Sequence, residues 1–105
     1  MATAALATAG YAHITSNPRV CGGKACIDGT RIRVMDIVCL EREGKKPEEM
    51  QRVFATPLTL GQVHAALSYY YDHRDEIEAS FAEEEGIEAE IDRDRAEYLA
   101  RRAGP

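Results

Sequence analysis

Gly22-Gly23-Lys24-Ala25-Cys26-Ile27-Asp28-Gly29-Thr30-Arg31-Ile32-Arg33-Val34 is the stretch on which the fold of this chain turns. Asp28-Gly29 is a strong hairpin signal, because a type I′ turn needs positive φ at both central residues. Folding the run about that turn sets Ile27 opposite Thr30, Cys26 opposite Arg31 and Ala25 opposite Ile32. Side chains alternate along a strand. One face therefore carries Ala25, Ile27, Thr30, Ile32 and Val34, and the other carries Lys24, Cys26, Arg31 and Arg33. A basic plate with an apolar underside is not a catalytic design. It suits an anion or a partner surface.

Outward from this run, the charge is uneven. The chain of 105 residues has net charge −5. Arg19 to Lys46 holds seven basic and four acidic residues, whereas Asp72 to Glu97 holds three basic and twelve acidic ones. The first part tolerates a polyanion and the second repels one, so the two parts are expected to do different jobs. The length suits one domain, able to bury roughly 60–70% of its unfolded surface. No apolar run approaches the ~20 residues of a membrane span. Met1 to Gly10 has no basic start, so it reads as a disordered tail rather than a signal peptide. A cytoplasmic protein with reduced Cys21, Cys26 and Cys39 is the expectation. The cysteines and the scattered His13, His64 and His73 do not make a zinc pattern, and the cysteines read as packing residues.

The periodicity predicts a mainly helical domain. Tyr11 to Ile14 is a candidate strand, turned by Ser16-Asn17-Pro18. Met35 to Glu43 reads as a helix with Ile37, Val38 and Leu40 inward and Gly44 as a left-handed cap. Pro47 suits a first helical position, and Met50, Val53 and Phe54 extend that second helix to Phe54. Thr59 with Gln62 is a capping box opening a third helix. Its inward residues Val63, Ala66, Leu67, Tyr70, Ile77 and Phe81 carry it to about Glu85, with a kink near Asp72-His73 and a stop at Gly86. A heavily charged helix follows with Ile87, Ile91, Tyr98 and Leu99 as a thin apolar stripe, and Arg101 to Pro105 frays. The expected organisation is a tail at 1–10, a domain at 11–85 and a charged partner-binding helix at 86–105. The fold class is mainly α: a small, three-helical, helix-turn-helix-like domain with an N-terminal β-hairpin and a C-terminal charged helix.

Two short helices joined by a turn have the outline of a helix-turn-helix, and equally that of a plain packing unit. The outward residues of the second are Gly61, Gln62, Ala65, Ser68, Tyr69 and Asp72, without Lys or Arg. Phosphate attraction falls to Lys24, Arg31, Arg33, Lys45 and Lys46. Thr59, Gln62, Ser68 and Tyr69 are the remaining candidates for contact with DNA. Tyr69-Tyr70-Tyr71 cannot point one way on a helix; Tyr70 is expected in the core, and Tyr69 and Tyr71 diverge to its margins. His73 reads as a surface histidine. Gly22-Gly23-Lys24 lacks the phosphate-loop spacing. No nucleophile–base pair or metal cluster stands out, so neither enzyme activity nor a cofactor is expected.

The block Ile14 to Val34, followed by Glu43-Gly44-Lys45-Lys46-Pro47-Glu48-Glu49-Met50 and by Leu58 to Tyr70, resembles the family known as domain of unknown function 433. The likeness runs from about Ile14 to Ile77. Asn17 stands where the family usually has an acidic residue, and Ala25 where it has proline. The resemblance implies a dimeric, helix-turn-helix-like antitoxin of a type II toxin–antitoxin pair, which neutralises a PIN-type ribonuclease and binds operator DNA. By that analogy Arg93, Arg95, Arg101 and Arg102 are candidates to enter the carboxylate cluster of the toxin. Ile87, Ile91, Tyr98 and Leu99 would dock on it. The alternative is a dimeric protein–protein interaction module that never touches DNA.

Overall fold

The structure is a computed structural model and describes residues 10–103; apart from Gly10, the expected tail lies outside them. Its elements are β1 (Ile14–Thr15), a 3-10 turn (Cys21–Gly23), β2 (Cys26–Ile27), α1 (Val34–Arg42), α2 (Pro47–Met50), α3 (Leu60–Asp72) and α4 (Arg74–Ala103). The chain is thus mainly helical with a small antiparallel sheet near its N-terminus. It divides into two compact units, the first ending at Arg74 and the second beginning at Asp75.

In the first unit, β1 pairs with β2 through Ile14 opposite Ile27 and Thr15 opposite Cys26. The strand expected at Tyr11–Ile14 therefore sits later, after a positive φ at His13. The Asp28-Gly29 turn forms, but not with the expected register. Cys26 bridges Arg33, and Ile27 exchanges its N–H with the Ile32 carbonyl at 2.9 Å. The loop spans Asp28 to Arg31. Only Gly29 has positive φ there, which fits type II chemistry rather than type I′. Thr30 supports it by donating its hydroxyl to the Ile27 carbonyl at 2.8 Å and accepting the Ile32 N–H at 3.0 Å. The register differs from expectation by two residues, an even number, so every side chain keeps its face. Ala25, Ile27, Ile32 and Val34 are buried as expected; Cys26, expected on the outer face, is buried as well.

Helix α1 begins within a residue of expectation, on a cap made by Arg33 and Asp36. The Asp36 carboxylate accepts the Arg33 backbone N–H at 2.9 Å. It ends in a Schellman arrangement: Gly44 (φ 87) donates to Glu41 at 2.9 Å and Lys45 to Leu40 at 3.0 Å. Helix α2 stops at Met50 rather than Phe54. Beyond it the backbone tightens into i to i+3 bonds, Arg52 to Glu49 at 3.2 Å and Val53 to Met50 at 3.3 Å. Val53 is exposed, so the apolar stripe that would extend the helix is missing. Leu58 is buried instead, held by its N–H to the Gln51 carbonyl at 3.2 Å and by the Gln51 amide to the Leu58 carbonyl at 2.9 Å.

Helix α3 opens on the expected capping box. Gln62 N–H donates to the Thr59 hydroxyl at 3.1 Å, and Thr59 N–H to the Gln62 side-chain oxygen at 2.8 Å. It packs on α1, α2 and both strands. Ile14, Ile27, Val34, Ile37, Val38, Met50 and Val63 form the fully buried centre. The expected kink is a break at His73 (φ −133, ψ 43). In the second unit α4 runs unbroken through Gly86 to Ala103, which corrects the expected stop and the expected fraying from Arg101. A helical glycine costs only about 1 kcal/mol, and the neighbouring Glu, Ile and Ala residues outweigh it.

Candidate functional site

Three surfaces follow from these elements. The first is the hairpin. Arg31 is exposed on the Asp28–Arg31 loop, while Lys24 and Arg33 are half-buried. Arg33 is held by Asp36, with guanidinium to carboxylate distances of 2.8 and 3.3 Å. Its charge therefore serves the start of α1 as well as any ligand. Lys45 and Lys46 are exposed between α1 and α2. Beside Arg31 lies an open groove of about 700 Å³, lined among others by Thr15, Asn17, Ile32, Asp36, Phe54 and Thr56. No spacing in the sequence announces it, since it joins the ends of β1, the hairpin loop and the segment after α2. Asn17 does locally what the family's acidic residue would do: its side-chain oxygen accepts the Arg19 N–H at 2.9 Å and shapes the Pro18 turn.

The second surface is the outer side of α3. Ser68 and His64 are exposed, and Gln62 is half-buried. The Thr59 hydroxyl and Gln62 side-chain oxygen are engaged in the cap. Tyr69 is not at the outer margin: it is 3% exposed. Its ring stacks on His73 at 4.1 Å and 12°, and Tyr11 meets it edge-on at 5.2 Å. His73, expected at the surface, is half-buried in this stack, its Nδ1 3.1 Å from the Tyr69 carbonyl. The break in the helix turns the ring back over the preceding turn, which periodicity does not reveal. Tyr11 donates its hydroxyl to the Asp72 carboxylate, and that bond raises the Tyr11 phenol above its usual pKa. Tyr71 is exposed and donates to Glu41 at 2.5 Å, which raises its phenol likewise. Arg74 lies over the Tyr71 ring at 5.1 Å.

The third surface is α4. Ile87, Ile91, Tyr98 and Leu99 are each about half exposed, at 49, 53, 51 and 56%. At 3.6 residues per turn they fall within an arc of roughly 120°. Arg95 and Arg102 project within that arc, Arg101 flanks it, and Arg93 projects from the opposite side. Arg102 donates to the Tyr98 hydroxyl at 3.1 Å and covers its ring. The helix thus separates the four arginines that the sequence groups together. Among the described residues no three His, Cys, Asp or Glu side chains converge as a metal site requires. No helix among them is long and apolar enough to cross a membrane.

Comparison with known proteins bears on the first unit. The family model described as "Protein of unknown function (DUF433)" matches residues 14–70. A solved structure, a DUF433 member protein from Anabaena variabilis, is similar at 33% identity and a TM-score of 0.61, over 67% of this chain and 68% of that one. No curated protein matches.

Proposed function

The chain belongs to the DUF433 family, and from that premise we propose that it is a non-enzymatic antitoxin that neutralises a PIN-type ribonuclease through α4. The observation that carries the reading is the half-exposed stripe Ile87, Ile91, Tyr98 and Leu99, on a helix that begins after the last residue matched by the family. Such a stripe is what an amphipathic helix lays into an apolar groove. Arg95 and Arg102 lie on the stripe, where they accompany the apolar residues into a partner. Their guanidinium groups suit the carboxylate cluster of a metal-dependent ribonuclease, by bidentate bonds. Arg93, on the far side, is expected to stay in solvent.

The test is neutralisation of a PIN-type ribonuclease drawn from the same genome. The full chain is expected to suppress its RNA cleavage, and a chain ending at Gly86 is not. Arg95→Glu is expected to weaken suppression strongly and Arg93→Glu hardly at all. A shortened chain that still suppresses cleavage would overturn the assignment to α4.

The second reading is an interaction module without DNA binding. The outer side of α3 carries no Lys or Arg, Tyr69 is buried, and α2 is a single turn. Under the antitoxin reading with operator binding, Arg31, Lys45 and Lys46 supply the phosphate contacts, and a mobility shift with upstream DNA weakens steeply with salt. Absence of any shift at low salt selects the module.

A further inference from the structure

We propose that, in the free protein, α4 pairs antiparallel with α4 of a second copy of this chain. Every residue from Glu85 to Ala103 is exposed, and Ile87, Ile91, Tyr98 and Leu99 leave about half of their surface in water. The whole of this face lies beyond residues 14–70, which the family model matches. The contact is therefore separate from any dimer made by the first unit.

Charge decides the occupant. Glu83 to Glu90 holds five acids and no base, whereas Ile91 to Arg102 holds four arginines and three acids. The division is sharpest on the stripe itself. At 3.6 residues per turn, Glu84 and Glu88 fall in the same arc of roughly 120° as the apolar residues, ahead of Ile91, and Arg95 and Arg102 fall in it behind. One half of the stripe is thus the complement of the other. A surface that complements itself on reversal is what a two-fold contact needs, since residue i meets j and j meets i. A parallel pair would set Glu84 on Glu84 and Arg102 on Arg102, like on like. Charges placed in this way set the orientation of paired helices, and the opposed helix dipoles favour the same arrangement.

With the two-fold axis between Asp92 and Arg93, the second helix runs back along the first. Ile87 then meets the partner's Tyr98, and near the axis Ile91 approaches the partner's Ile91. Glu88 faces the partner's Arg95, and Glu84 faces the partner's Arg102. Arg102 already donates to the Tyr98 hydroxyl at 3.1 Å. A guanidinium has five N–H donors, so the same group reaches a carboxylate as well. The pair covers the stripe that the ribonuclease reading also uses, so it is the form of the chain without ribonuclease, and the two occupants exclude one another. It does not depend on that reading, and its test contains no ribonuclease.

The experiment uses the full chain with Arg102→Lys, which keeps the charge and adds an amine to a helix that has no lysine. A carbodiimide joins an amine to a carboxylate in contact with it and inserts no spacer. Along one helix Glu84 and residue 102 lie about 27 Å apart, so a link between them requires two copies. Trypsin should release residues 102–105 joined to Asp75–Arg93, with the link within Glu83–Glu88. A mixture of unlabelled and isotope-labelled chains should give mixed pairs. Adding Arg95→Glu should cut the yield of that peptide severalfold, and adding Glu88→Arg as well should restore it. No linked peptide even in concentrated solution, links of the new lysine confined to Glu90 and the residues after it, or a charge exchange that fails to restore the yield would overturn the proposal.

Discussion

The unit ending at Arg74 and the helix beyond it are built by opposite means. The first unit has strands of two residues and a four-residue α2. None of these is stable alone. They stand because Ile14, Ile27, Val34, Ile37, Met50 and Val63 meet in one buried centre, brought from five elements. Helix α4 rests on local bonds and exposes nearly every side chain after Ile77. Packing therefore holds the first region, and propensity the second. A long helix in that condition has apolar surface left for a partner, whereas the first unit turns most of its apolar side chains inward and leaves only Val53, Leu60 and Tyr71 exposed among its large described ones.

Truncation gives the largest contrast. Ile37→Ala should cost about 2–5 kcal/mol, from lost burial and the cavity left behind, read as a lower urea midpoint. Ile91→Ala, at a half-exposed site, should move stability by less than about 0.5 kcal/mol while weakening partner capture. Similar losses at both positions would mean that α4 is covered by packing. Next comes Glu88→Pro, which should disrupt α4 by about 3 kcal/mol. Far-ultraviolet ellipticity should fall while the unfolding midpoint of the first unit holds.

Alkali should act on the first unit through Cys26. Burial above all pushes its thiol up from 9.0 to about 12. Below pH 9 folded and unfolded chains both hold the proton, and pH changes nothing. Above it the unfolded chain releases the proton while the folded chain keeps it, so stability falls as pH rises towards 12. Urea midpoints at pH 8 and pH 10.5 should show the drop, and Cys26→Ala should reduce it. A smaller effect is expected of Thr59→Ala, which removes the α3 cap at about 1 kcal/mol. The smallest is a gain: Gly86→Ala should stabilise α4 by about 0.5–1 kcal/mol, since an added Cβ there meets nothing within 4 Å. Melting of the α4 ellipticity would register it.

The same contrast explains what the sequence disclosed. Local chemistry was legible: the Gly44 termination, the Pro47 start, the Thr59–Gln62 box and the break at His73 all rest on neighbours within a turn. The apolar underside of the hairpin was legible too, because alternation survives a register change of two. Long-range facts were not. The pairing of Ile14 with Ile27, the burial of Tyr69 under Tyr11, and the groove joining Thr15 to Thr56 arise from residues far apart in the chain. At Gly86 a local signal misled, because glycine marks a helix end only where the backbone turns left-handed. In the candidate site, the charges of Arg31 and Arg33 were visible, but not that Asp36 engages one of them. The arginines of α4 were visible as a group, and only the helical register divides them.

Tyr11 and Asp72 meet through a hydrogen bond although 61 residues separate them. The first unit is therefore close to a ring, entered and left at one point. Circular permutation should suit it: joining Arg74 to Tyr11 by a short linker and opening the chain at exposed Lys45-Lys46 keeps the buried centre and the Tyr69–His73 stack. A protein tag fused ahead of Tyr11 would likewise emerge beside the root of α3's last turn, so probes of DNA binding are better served by tags placed elsewhere.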